Sequence, residues 1–137
     1  MTRSPDLSVV VPAHNEEGFL PKCLDSIAQS ASKARLEVEV VVVLNRCTDS
    51  TETIANRFGA GIVREDAKNI AQIRNAGVQA SVAEHVVTID ADSWMNDETL
   101  GEIQSTLTSN TALCGGADFG PERRSIPILL SYRIAKH

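Results

Sequence analysis

HVVTIDADSW, residues 85–94, is an apolar β-type run that stops abruptly in two aspartates separated by one residue. It reads as a buried strand delivering two carboxylates to a sheet edge. Side chains of an extended chain alternate with period two, which predicts that Asp90 and Asp92 point the same way with the small Ala91 opposite. Two like charges so close repel each other, and each has lost part of its hydration. A cation is therefore expected beside them, and a hard divalent ion held by one or two carboxylates plus substrate phosphates suits the pair. Asp-x-Asp by itself would equally well open a loop and cap the next helix. The rest of the chain has to decide.

Working outward, Leu7 to Val11 (LSVVV) and Val38 to Leu44 (VEVVVVL) are β-branched runs of the kind that form strands covered on both faces. Pro12 is expected to stop the first. Leu20, Cys23, Leu24, Ile27, Ala28 and Ala31 follow helical spacing, predicting a helix over roughly residues 16–32 with Asn15 as its N-cap and Pro21 in the tolerated first turn. After the second strand, Asp49 with Glu52 resembles a capping box. Ile54, Ala55 and Phe58 form the predicted inner face, and Gly59 is placed to end that helix. A short strand, Gly61 to Arg64, follows. Ile70, Ile73, Gly77 and Ala80 mark a third helix, Gly77 permitting close packing on the sheet. Beyond the aspartates, Asn96 caps a fourth helix with Leu100, Ile103 and Leu107 inward, and Ala112 to Ala117 is a fifth strand. Five strands alternating with four helical segments predict an α/β sandwich with a mostly parallel sheet and right-handed crossovers. Ligands of such sheets bind at the carboxyl ends of the strands, where Pro12 to Glu16, Asn45 to Asp49 and Asp90 to Asp92 converge.

With 137 residues, 42% of them hydrophobic, the chain is sized for one domain, residues 1–137, with no linker. Thirteen Lys+Arg against eighteen Asp+Glu give a net charge of −5, with no basic cluster beyond Arg123-Arg124, which argues against nucleic acid as a partner. Cys23, Cys47 and Cys114 are widely spaced and fit neither a disulfide framework nor a zinc site, so a cytoplasmic location is expected. MTRSPDLSVVVP lacks the apolar core of a signal peptide. The longest apolar run, Val40 to Leu44, is too short for a transmembrane segment.

Four segments together, VVVPAHNEE, VVVLNRCTDST, AQIRNAG and VVTIDADSW, resemble the nucleotide-sugar-binding half of family 2 glycosyltransferases of the GT-A fold, over roughly residues 7–118. The resemblance implies a GT-A-like, Rossmann-like three-layer α/β/α sandwich. It also implies transfer of a sugar from a nucleoside-diphosphate-sugar donor to an unknown acceptor, with Mn²⁺ or Mg²⁺ on the diphosphate. Carried over residue by residue, Pro12, Ala13 and His14 form the loop cradling the base, His14 standing where the family often has an aromatic ring. Glu16 matches the first glutamate of the family's N-E-E and contacts the nucleoside, or else simply favours a helix first turn. Asn45 falls where the family commonly has an aspartate that pairs with uracil. An amide both donates and accepts, so the base is left open. Asp49 aligns with the aspartate of T-D-G-T, but helix capping is the role its context favours. Arg74 matches the arginine of A-R-N-A-G, reaching base or diphosphate; half-buried, it requires an anionic partner. Asp92 is implied as principal metal ligand, Ala91 as part of the donor site, and Asp90 as holding the ribose or sharing the metal.

Two readings compete with this one. A haloacid-dehalogenase-like phosphotransferase also uses Asp-x-Asp after a buried strand, but normally after the first strand, whereas here it follows the fourth. A nucleotide-binding module without turnover is the other. Inverting transfer needs a carboxylate base, which in the family lies downstream in an acceptor-binding half that this chain is expected to lack. Asp118 and Glu122 are the nearby candidates, and nothing in their context singles out either. The apolar segment 126–134 (IPILLSYRI) is expected to want a partner surface, with a homo-oligomer as its corollary.

Overall fold

Valine-rich segments become the strands of one mixed sheet in the computed structural model, which describes residues 3–109, 114–117 and 130–134. In chain order the elements are β1 (Leu7–Ala13), α1 (Leu20–Ala34), β2 (Val38–Leu44), α2 (Thr51–Arg57), β3 (Gly61–Arg64), α3 (Ile70–Ala80), β4 (His85–Ile89), α4 (Thr99–Thr108), β5 (Cys114–Ala117) and β6 (Leu130–Ile134). The sheet order is β3-β2-β1-β4-β6-β5. β1 pairs in parallel with β2 and β4, and β2 with β3, while β6 runs antiparallel to both β4 and β5. Only β6 is thus reversed, and the expectation of a mostly parallel sheet holds.

All seven residues of β1 are buried, because helices cover both faces of the sheet. On one face Leu20, Cys23, Leu24 and Ile27 of α1 pack with Leu100, Ile103 and Leu107 of α4 and Ala55 of α2 over Val9, Val11, Val42 and Val87. On the other, Ile73 of α3 meets Val10, Val41, Val43 and Val86. The result is a three-layer α/β/α sandwich. Gly77 is what lets α3 approach: a Cβ there would lie 2.3 Å from Val10 Cγ1 and 2.8 Å from Val43 Cγ2.

Several local expectations are corrected. Pro12 does not end β1, which runs through Ala13 in register with Leu44. The N–H of Asn45 donates to Ala13 O at 2.8 Å, so Ala13's backbone faces β2 and alternation turns Pro12's nitrogen toward β4. Pairing with β4 has already ended at Val10, and the missing donor costs no ladder bond. Asn15 does not cap α1, which starts at Leu20 with Pro21 in its first turn. Asn15 instead takes up a left-handed backbone conformation (φ 51°) and its Oδ1 accepts from the N–H groups of Thr48 and Asp49. Glu52 pairs with Arg64 rather than closing a capping box. Phe58 and Ile70, read as inward, are 46% and 50% exposed, and Ala28 and Ala80, on the same predicted helix faces, are exposed as well. Residues 130–134, expected to want a partner surface, form β6, whose strand partners β4 and β5 lie within the chain.

A polar rail on α1 fixes the segment that follows the aspartates. Ser26 Oγ accepts from Met95 N–H, and Ser30 Oγ donates to Asp97 O and accepts from Leu100 N–H. Lys22, one turn before Ser26, stacks its ammonium 3.6 Å from the centre of the Trp94 ring. Residues four apart share one helix face, so one stripe of α1 anchors 94–100.

Candidate functional site

The carboxyl ends of β1, β2 and β4, with the first turns of α3, enclose a cleft of about 300 Å³. Pro12, Ala13, His14 and Glu16 line it from the end of β1, Asn45 from β2, and Asp90, Ala91 and Asp92 from β4. Arg74 reaches it from α3, and it is the only lysine or arginine among the lining residues. The residues that the resemblance assigns to the donor site are therefore brought together, while Asp49 lies outside the lining and the candidate bases Asp118 and Glu122 lie outside the described residues. Ile70 and Ile73 also line the cleft. They read as inward helix positions in the sequence, and the exposure of Ile70 was the signal that periodicity could not supply.

The strand alternation predicted for Asp90 and Asp92 stops at Ile89. Beyond it the chain turns, Ser93 N–H donating to Asp90 O at 3.0 Å, with Ala91 buried and Asp92 exposed. Both carboxylates still face the cleft. Asp90 is occupied: Arg74 Nη2 donates to its Oδ1 at 2.9 Å, both side chains being about one-third exposed. This supplies the anionic partner that a half-buried arginine requires. Arg74 Nε, by contrast, is buried with no hydrogen-bond partner among the described residues.

Asn45 does different work from a base-reading side chain. It is 4% exposed, and its Nδ2 donates to Glu65 O at 2.6 Å and to Ala67 O at 2.7 Å. Its Oδ1 accepts from Arg46 Nε at 3.2 Å. Both amide protons are thus spent on holding the segment between β3 and α3. An aspartate could not do this, having no proton to give. The backbone carbonyl of Asn45 accepts from His14 Nδ1 at 2.6 Å, which fixes the proton on Nδ1 and leaves Nε2 as the acceptor of the neutral ring. Cys47 Sγ donates to Ala13 O at 3.3 Å, tying the two loops once more.

Asp49 stands at the start of α2, where its carboxylate accepts from the Thr51 N–H and hydroxyl and from Glu17 N–H. Burial pushes its carboxyl up, but these hydrogen bonds outweigh it and hold it below the usual carboxylate range. It acts as a helix-start clamp that also ties down the 15–17 loop. Glu16 is shifted the other way: burial raises it, then the charges of Asp92, Asp49 and Asp90, with His14 partly offsetting. The same field reaches under the cleft, where burial and the charges of Asp92, Asp90 and Glu16 push the Cys23 thiol up to about 12. That thiol stays protonated, 3.7 Å from Asp90 O.

The cleft is therefore a negative cluster with one built-in cation. Among the described residues no group of three or more His, Cys, Asp and Glu side chains could hold a metal ion. Asp90 and Asp92 offer hard oxygen donors to an ion that completes its shell with phosphate and water, as Mg²⁺ and Mn²⁺ do, so the residues present fit such an ion.

Comparison with known proteins agrees with the geometry. The family model for glycosyl transferase family 2 matches residues 8–127. An uncharacterized glycosyltransferase of Mycobacterium tuberculosis is 34% identical over 110 residues, covering 80% of this chain and 47% of the relative. Among solved structures, Staphylococcus aureus TarS in complex with UDP-GlcNAc superposes with a TM-score of 0.67 at 25% identity, covering 79% of this chain and 32% of TarS. The Pyrobaculum calidifontis mannosyltransferase in complex with GDP-Man and Mn²⁺ gives a TM-score of 0.65 at 27% identity, covering 77% and 33%. The chain spans less than half the length of each of these relatives.

Proposed function

The chain belongs to glycosyl transferase family 2, and we propose on that basis that it binds a nucleoside-diphosphate sugar in the cleft at the carboxyl ends of β1, β2 and β4, as the donor-binding part of a sugar transferase. The observation that carries this is the meeting in one cleft of His14, Glu16, Arg74, Asp90 and Asp92, which come from segments far apart in the chain. In this reading His14, pinned through Nδ1, presents its ring to the base, and Ile70 and Ile73 offer apolar surface beside it. Arg74 takes charge of the diphosphate. Asp92, which is exposed and has no partner among the described residues, is the principal ligand for a divalent ion, with Asp90 sharing it or holding the ribose. Such an ion supplies Lewis-acid stabilisation of the departing diphosphate. The protein's own part is to position the donor and to keep a guanidinium within reach of the oxygens on which charge develops.

The relatives' complexes with UDP-GlcNAc, and with GDP-Man and Mn²⁺, support the ligand class and the metal and leave the base open. Calorimetry with UDP, GDP and dTDP, with and without Mn²⁺ or Mg²⁺, tests the proposal. One nucleotide is expected to bind only weakly unless metal is present, and Asp92→Ala to abolish the metal-dependent part with an unchanged melting temperature. No metal-dependent heat for any of the three would overturn it.

A further inference from the structure

In the cleft, Asp90 is already engaged by a cation that belongs to the protein. Arg74 Nη2 sits 2.9 Å from Asp90 Oδ1, while the Nε of the same guanidinium is buried without a partner among the described residues. Among the described residues the arginine is thus held by one side-chain hydrogen bond, in a place where one of its donors goes unused. A buried unmade hydrogen bond is costly, so this arrangement is easily traded for one that satisfies more of the fork. A diphosphate has the charge and the oxygens to take several N–H groups at once. Asp90, once released, becomes a second oxygen donor beside Asp92.

We infer that Arg74 is the resident counter-ion of Asp90, and that a nucleoside diphosphate draws it off, so that the site acquires its full set of carboxylate donors for a divalent cation only when the nucleotide is present. The inference rests on the donor-binding role proposed above. It makes Arg74 a positioning residue for the metal as well as a contact for the diphosphate. Before the nucleotide arrives, the guanidinium neutralises one carboxylate of a cluster whose mutual repulsion reaches Glu16 and Cys23. Because the two equilibria are linked, whatever factor the nucleotide adds to metal affinity the metal must return to nucleotide affinity.

Mn²⁺ titrations followed by electron paramagnetic resonance decide it, run on wild type, Arg74→Met, Asp90→Asn and the double variant, each alone and with UDP or GDP. With Mn²⁺ alone, Arg74→Met is expected to bind about fivefold or more tighter than wild type, within the usual range of such couplings. Asp90→Asn alone is expected not to tighten Mn²⁺, since it removes a carboxylate and leaves the guanidinium in place. The double variant should lose the gain of Arg74→Met, and the factor by which UDP or GDP tightens Mn²⁺ should shrink in Arg74→Met. Unchanged Mn²⁺ affinity in Arg74→Met overturns the inference. So does a gain that survives Asp90→Asn, which would mark a diffuse field effect. Should Arg74→Met fail to fold, the ¹⁵Nε resonance of Arg74 in the wild type decides. It should move with UDP or GDP and stay put with Mg²⁺ alone, and a signal indifferent to nucleotide overturns the inference. A wild type that shows no metal-dependent nucleotide binding would defeat the donor-binding proposal instead, and the Mn²⁺-alone comparison would still decide the role of Arg74.

Discussion

Asn45 keeps both amide protons inside the protein, on the carbonyls of Glu65 and Ala67, at a position where the family commonly carries aspartate. Asn45→Asp would remove two buried donors and set a carboxylate against two carbonyl oxygens. Each unsatisfied buried group costs about 1–3 kcal/mol, so the substitution is expected to destabilise by about 3 kcal/mol or more in urea unfolding. A loss under about 1 kcal/mol would mean that the segment after β3 does not depend on this clasp. Glu16 carries the opposite kind of strain. Burial first, then the charges of Asp92, Asp49 and Asp90, raise its folded pKa above the ordinary 4.5. A raised folded value means that the neutral acid's contribution is fully present below the unfolded pKa and lost as pH rises through the folded one. Glu16→Gln should therefore melt higher than wild type at neutral pH, with the difference closing below pH 4.5. Parallel melting curves across that range would show that the side chain feels no such field. Its backbone N–H bond to Thr51 Oγ1 is untouched by the change, which keeps the comparison clean.

At the scale of elements, α3 does two jobs whose demands meet at Gly77. The helix must lie close on β1 and β2 to bury Ile73, and from the same turn it must hold Arg74 against Asp90. Alanine at 77 would favour the helix intrinsically by about 1 kcal/mol. Its Cβ, however, would sit 2.3 Å from Val10 Cγ1, inside a β1 whose residues are all buried and have little room to move. Overpacking of this kind typically costs about 1–3 kcal/mol, so Gly77→Ala should be net destabilising in chemical denaturation. A stabilised variant would show that α3 can ride outward without loss. α1 serves the other face comparably, since Ser26 and Ser30 hold residues 95–100 in place and so fix the exit of the loop that carries Asp92.

For the whole molecule, the sheet order β3-β2-β1-β4-β6-β5 places the carboxyl ends of β1, β2 and β4 side by side and so gathers their polar loops into the cleft. Asp118 and Glu122 fall outside the described residues, and the chain spans less than half the length of the relatives it matches. Donor hydrolysis and transfer to a panel of acceptors test the proposed transfer directly, and robust turnover would direct substitution to Asp118 and Glu122 first.

Sequence periodicity by itself determined β2, β3 and β4, the inward face of α4 and, Ala28 apart, that of α1, the close approach at Gly77 and the identity of the loops that meet at the sheet edge. These follow from local rules: period two or 3.6, and where apolar side chains must go. Tertiary structure alone decided the partners. Arg74 lies 16 residues from Asp90, Asn45 lies 20 and 22 from the carbonyls it holds, and Asn15 lies 33 from Thr48, whose N–H it accepts. A short polar side chain bonds whatever the fold brings within about 3 Å, and neither propensity nor spacing encodes that neighbour. For the same reason Pro12 could stay inside a strand and residues 130–134 could slot between β4 and β5. Each depends on which backbone groups still lack a partner once the sheet has formed.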